Sequence, residues 1–299
     1  MTSSDKVSLT YGDINIDLPV IPAVDGPASV DVSKLTALTG LTAYDQGFVN
    51  TASTKSAITF IDGANGILRH RGYPIEQLAA SKSFLETAYL LIYGRLSTAS
   101  EQAEFEDKIR RHTLLHEDLK RLFTAMPQSA HPMAVLAAGV TALSTFYQDS
   151  LDPHDPEQVE LSSIRLLAKL PVLAAYAHKN SIGQALLYPD NSLNYVENFM
   201  RLTFGNAAEE YVQNPIVTKA LDTLLVLHAD HEQNCSTSTV RLVGSSQANM
   251  FASISSGINA LFGPLHGGAN EAVLVMLNEI QQSGMSVQEF VQKVKNKED

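Results

Sequence analysis

The apolar positions of this chain change period near residue 74. Before it they alternate. Val7–Tyr11 and Ile14–Leu18 both run apolar, polar, apolar, and Gly12 and Asp13 lie between them, so the pattern predicts a β-hairpin with a two-residue turn. Ala57–Gly63 reads as a further short strand, with Gly66–His70 placed to pair with it. After Pro74 the apolar residues recur at three and four positions, the spacing of a helix buried on one face.

Helix starts are marked by residue chemistry. Ser83 with Glu86 precedes a helix over Thr87–Tyr93 that Gly94 should end, and Thr98 with Glu101 repeats the capping signature. Asn214 followed by Pro215 reads as a cap and a first helical residue, with Val217, Leu221, Leu224 and Leu225 at helical period behind it. Ser286 with Glu289 opens a last helix. Leu151–Pro156 is a loop. Pro171 is expected to break or kink a helix over Val159–Ala177. The fold class expected is mainly α with a small N-terminal β region. Residues 1–73 form the β and loop part, and 74–299 the helical domain.

With 299 residues, 44% hydrophobic and 18% charged, the chain can bury a sizeable core. A net charge of -11 argues against a surface that tracks nucleic-acid phosphates. Met1–Asp17 has neither the apolar stretch of a signal peptide nor the basic bias of a presequence. The apolar run Leu221–Leu227 is too short to span a bilayer. Cys235 is the single cysteine, which rules out an intramolecular disulfide and fits a reducing compartment. A soluble cytoplasmic protein is expected.

Two segments carry chemistry. His228–Thr239 is a polar cluster at the end of an apolar helix, and Gly263–Asn270 is a Gly/Pro-rich turn leading into a helix over Glu271–Gln282. His266 stands in that turn, where unpaired helix N–H groups raise the local potential and disfavour an imidazolium. A neutral imidazole can donate one hydrogen bond to a developing enolate oxygen. Gly267 and Gly268 would let a ligand approach the backbone.

Plainer readings compete. A lone histidine in a turn is more often a cap or a surface residue. His228, His231 and Cys235 at helical spacing form a candidate metal face, but Cys235 stands where the metalloprotease motif has its second histidine. A structural helix end is favoured, and no metal is expected. Gly63–Gly66 is a turn rather than a phosphate loop, and Ser253–Gly257 lacks the nucleophile-elbow pattern. Arg110–His112 reads as a solvated face and His131–Met133 as a helix start.

Taken together, HADHEQN at His228–Asn234 and GPLHGGAN at Gly263–Asn270 resemble the citrate synthases, in particular the Gram-negative, NADH-sensitive bacterial type. The resemblance runs from the hairpin to the last helix. It implies a multi-helical large domain, incomplete here, with the start of a small domain. The implied reaction condenses acetyl-CoA with oxaloacetate and water to give citrate and CoA, with no cofactor. His266 matches the histidine that polarises the acetyl carbonyl while a carboxylate removes the methyl proton. His231 matches an oxaloacetate-binding histidine, and Asn234 and Ser236 fall on site-lining positions that help hold the catalytic one.

The resemblance also implies a homodimer or hexamer, inhibited by NADH at a site matching Arg111, His112, Tyr147, Arg165 and Lys169. Arg165 and Lys169, four apart on one helix, could jointly grip a phosphate; ordinary surface charge is the plainer reading. The family continues beyond the position of Asp299 into a second catalytic histidine in a Gly-Phe-Gly-His-Arg-type motif, then a catalytic aspartate and oxaloacetate-binding arginines. The resemblance therefore implies an N-terminal portion, ending in the charged stretch Lys293–Asp299 and inactive by itself. Two alternatives stay open: 2-methylcitrate synthase, using propionyl-CoA, and a non-catalytic helical protein that oligomerises or binds a nucleotide.

Overall fold

The alternation at the N-terminus folds as a hairpin. In the computed structural model, which describes residues 5–48 and 50–297, β1 (Lys6–Tyr11) and β2 (Ile14–Ile21) pair antiparallel with Tyr11 opposite Ile14. Gly12 takes φ +58°, the left-handed value that so tight a turn demands. β2 runs past the expected end at Leu18 because Val20 and Ile21 pair with β3 (Ser29–Val30). A short helix, α1 (Leu35–Thr39), follows in a region read from sequence as strand and loop; five residues are too few to show a period. β4 (Thr59–Asp62) and β5 (Ile67–His70) form a second ladder with Asp62 opposite Ile67, and β6 (Tyr73–Pro74) extends it.

The rest is helical, as expected: α2 (Ile75–Ser81), α3 (Phe84–Tyr93), α4 (Ala99–Arg111), α5 (Lys120–Ala125), α6 (Pro132–Phe146), α7 (Pro156–Ser181), α8 (Tyr195–Phe204), α9 (Pro215–Leu227), α10 (Cys235–Gly244), α11 (Met250–Leu261), α12 (Gly268–Ser283) and α13 (Val287–Asn296). The start signals act through their side chains. Thr98 with Glu101 and Ser286 with Glu289 form reciprocal capping boxes, and the Asn214 carboxamide oxygen accepts the Ile216 N–H at 3.0 Å. His131 Nδ1 accepts the Met133 N–H at 3.2 Å, so this histidine caps α6. Gly94 closes α3 at φ +80°. Of the terminal segments read above, residues 1–4 and 298–299 lie outside the described residues.

By packing, the chain divides into two units. One comprises residues 1–83, 87–96 and 226–232, the other residues 84–86, 97–225 and 233–299. In the first, Arg71 at φ +49° donates its N–H to the Ile58 carbonyl at 2.6 Å and its guanidinium to the Leu91 carbonyl at 2.8 Å. Beside it His70 is fully buried, with Nδ1 and the Thr59 hydroxyl 3.1 Å apart and Nε2 unpartnered among the described residues. Burial pushes the His70 pKa down, against the opposing pull of Asp230.

In the second unit the core joins α5, α6, α7, α8 and α11 through Phe123, Leu143, Leu173, Tyr176, Leu202 and Phe251. Phe123 and Tyr176 meet edge to face at 5.7 Å. α7 continues through Pro171, so of the expected break or kink the break does not occur. A proline removes the N–H that would satisfy the carbonyl four residues back, here that of Leu167. The buried Tyr195 hydroxyl donates to that same oxygen at 3.0 Å, and burial pushes its pKa up. The helix survives because its orphan acceptor finds a donor on α8.

Tyr195→Phe should therefore destabilise the chain by about 1–3 kcal/mol, the usual penalty for an unsatisfied buried acceptor. In a Pro171→Ala background the penalty should shrink, because an alanine at that position would restore the helical N–H. Urea denaturation of the four proteins tests this, and an unchanged penalty would refute it.

Candidate active site

The polar cluster after α9 is a break between helices rather than a helix end. α9 stops at Leu227 and α10 starts at Cys235, while Glu232 between them takes φ +47°. His228, His231 and Cys235 thus do not share a helix face, and the spacing that made them a candidate metal face does not apply. Among the described residues no group of three or more His, Cys, Asp or Glu is placed to hold a metal. His231 belongs to the first packing unit and is exposed. Asn234 caps α10, its carboxamide oxygen accepting the Thr237 N–H at 2.8 Å. That cap places Ser236 in the first turn of the helix.

Ser236 reaches His266. Its hydroxyl oxygen lies 2.7 Å from His266 Nε2, the decisive contact in this part of the molecule. His266 itself sits in a turn tied by its own backbone: its N–H donates to the Gly263 carbonyl at 2.9 Å, and the Gly267 N–H donates to the Leu261 carbonyl at 3.0 Å. α12 begins at Gly268, so the histidine does precede a helix N-terminus. The reading of the two glycines changes. A Cβ at Gly267 would stand 2.4 Å from the Leu261 carbonyl oxygen, and one at Gly268 would stand 3.2 Å from that of Gly263. Their missing side chains admit the chain's own backbone.

Elsewhere in the same unit, Tyr147, Arg165, Lys169 and His112 come together. Arg165 chelates Asp149 at 2.6 and 2.9 Å and also reaches the Ser150 hydroxyl at 2.8 Å. Its guanidinium lies 4.4 Å from the Tyr147 ring centre, and Lys169 Nζ lies 4.9 Å from the same centre. Lys169 is 2% exposed and donates to the carbonyls of His112 and Leu114. Arg111 stays outside, exposed and paired with Asp107 at 2.6 Å. Arg165 and Lys169 are therefore interior cations with acceptors of their own, and not ordinary surface charge.

Comparison with known proteins decides the family. The pattern described as "Citrate synthase, C-terminal domain" matches residues 47–299. The chain belongs to the citrate synthase family. It is 61% identical over 296 residues to "Citrate synthase 1" of Mycobacterium tuberculosis, a match covering 99% of this chain and 69% of that one. It is 54% identical over 299 residues to "Citrate synthase" of Corynebacterium glutamicum, covering 100% of this chain and 68% of the relative. A solved ternary complex of carboxymethyl coenzyme A and oxaloacetate with citrate synthase from Thermoplasma acidophilum matches with TM-score 0.75 at 25% identity, over 85% of this chain and 65% of that one. The chain thus spans about two thirds of the length of these relatives. Both bacterial relatives are actinobacterial, and they lend no support to the Gram-negative subtype.

Within this family fold two kinds of residue escaped the sequence reading. One is the buried His70, which looked like the last residue of an ordinary strand. The other is Lys169 as an interior cation. Burial, and behind it the charge of Arg165, lowers the Lys169 pKa from 10.5 to about 8. Between these values the unfolded chain holds a proton that the folded chain has released. The penalty for keeping the ammonium charged is therefore full below about pH 8 and fades as the pH rises toward 10.5. Measured against Lys169→Met by chemical denaturation, the protein should gain roughly 1–3 kcal/mol between neutral pH and pH ~10. A pH-independent difference would show that Lys169 is not strained by its charge.

Proposed function

We propose that the Ser236–His266 pair stabilises the enolate of acetyl-CoA during its condensation with oxaloacetate and water to give citrate and CoA. The 2.7 Å contact carries this reading. If the serine hydroxyl donates to Nε2, the imidazole is fixed in the tautomer with its proton on Nδ1. That N–H is then available to the acetyl carbonyl oxygen as negative charge develops there, and a neutral donor can bind the enolate without first giving up its proton. His231 is proposed to bind oxaloacetate. The ternary complex of the Thermoplasma relative, which holds a coenzyme A analogue and oxaloacetate, supports this pair of substrates.

The base that takes the methyl proton is assigned to a carboxylate in the part of the relatives outside the match. Residues 1–299 alone are accordingly proposed to be inactive, and the complete enzyme is proposed to act in the cytoplasm as a homodimer or hexamer. Leu274, Leu277 and Val287 on α12 and α13 stand more than half exposed, which supports a further surface covering them.

A second reading, inhibition by NADH, draws support from the contiguity of His112, Tyr147, Arg165 and Lys169. A phosphate there would have to take Arg165 from Asp149. Asp149→Ala should then tighten NADH binding in a calorimetric titration, and no heat from either protein would exclude the site.

The main test joins residues 1–299 to the part of the Mycobacterium relative outside the match and follows thiol release from acetyl-CoA and from propionyl-CoA. His266→Ala should lower turnover about 10²–10³-fold, and Ser236→Ala by a smaller factor, with oxaloacetate binding retained. Full turnover without His266 would defeat the proposal, and preference for propionyl-CoA would favour 2-methylcitrate formation.

A further inference from the structure

We infer that one turn of α11, from Gly257 to Leu261, sets the separation of Ser236 and His266, and that Gly257 is a positioning residue for the pair. The inference rests on the reading of His266 just given.

Gly257 sits within α11 and is buried, at a helical φ that any residue adopts. Alanine is the better helix former at such a place, so the backbone conformation does not call for glycine. The contact does. A Cβ at Gly257 would stand 2.6 Å from Val240 Cγ2, 3.5 Å from the Ser236 carbonyl oxygen and 3.9 Å from Ser236 Cβ. Ser236 and Val240 are one turn apart on α10 and face α11 together. The bare backbone of α11 thus touches the residue whose hydroxyl holds the histidine.

Four residues on, about 6 Å along the same axis, the Leu261 carbonyl accepts the Gly267 N–H. Gly267 follows His266 directly. Both ends of the 2.7 Å contact are therefore referenced to a single helical turn, one through Gly257 and the other through Leu261. The turn is itself anchored. Ser255, two residues before Gly257, donates to the Ala137 carbonyl at 2.8 Å and accepts from the Thr141 hydroxyl at 2.7 Å, while Phe251 is fully buried in the core. The three atoms nearest a methyl group at Gly257 all belong to α10. Val240 can rotate away from part of it, and the remainder must move Ser236 off His266.

The test reads that bond directly in the chain labelled with ¹⁵N-histidine. The His266 Nε2 signal is assigned by its loss in His266→Gln, and Ser236→Ala marks its position without a partner. Gly257→Ala should shift the signal most of the way to the Ser236→Ala position. Adding Val240→Ala, which removes the nearest obstructing atoms, should bring it back. Gly139→Ala serves as a control for overpacking elsewhere, since its new methyl would meet Leu173 and Phe123 at 3.3 Å; it should lower stability and leave the signal in place. If Gly257→Ala does not fold, Val240→Ile crowds the same contact from α10 and carries the same expectation.

A signal that stays at the wild-type position in the folded variant, or that the second substitution fails to restore, would overturn the positioning role. Turnover in the completed chain is read separately. A shifted signal with unchanged turnover would leave the positioning role standing and remove the Ser236 contact from the proposed reaction.

Discussion

A hydrogen bond between two side chains fixes the direction of an imidazole only if both partners are held by something stiffer than themselves. Ser236 and His266 are so held. The serine rides on the first turn of α10, whose start is set by the Asn234 cap. The histidine rides on a turn closed by backbone bonds to Leu261 and Gly263. Between them runs α11, tied to α6 by Ser255 and sunk into the core by Phe251. The packing of the helical unit reaches the Ser236–His266 contact through this element.

The same economy appears in α7, which carries its cations inward. Lys169 donates to carbonyls at His112 and Leu114, just where α4 ends. Lys179 donates to the carbonyl of Gly205, the residue that closes α8. Helix C-termini present unpaired carbonyls and the negative end of the dipole. A lysine led in from a neighbouring helix answers both, and this explains how two ammonium groups come to be almost wholly buried. Burial lowers both pKa values, the mark of a charge kept where water cannot reach it. Tyr195 does for a mid-helix carbonyl what these lysines do for terminal ones.

How much of this was legible beforehand follows from the range of each interaction. Caps and turns act within a few residues, so Thr98, Ser286, Asn214 and the Gly12 turn could be read from neighbours in sequence. The motif around His266 was legible because its residue types are unusual together. The partner of Nε2 was suggested only by family resemblance, since thirty residues of chain separate it from the histidine. The uninterrupted α7 was not legible, because the donor that rescues Pro171 lies on another helix. Arg165 and Lys169 looked like a phosphate grip or a solvated face for the same reason: their acceptors, Asp149 and the end of α4, are distant or featureless in sequence.

Glycine shows the limit most sharply. At Gly12 and Gly94 a positive φ explains the residue, and the turn pattern announces it. At Gly257 and Gly267 no such φ occurs, and the explanation is an atom that must be missing so that another part of the chain can come close. In a single sequence a glycine of this second kind looks like a weak point in a helix. Yet the chemical groups of the site announce themselves by identity, while their spacing is set by residues that contribute no side chain at all. A reaction that needs an imidazole aimed to within a few tenths of an ångström depends on such absences as much as on the histidine. For that reason the positions to probe for control of the site lie on α11, which bears none of the residues that touch a substrate in the proposed mechanism.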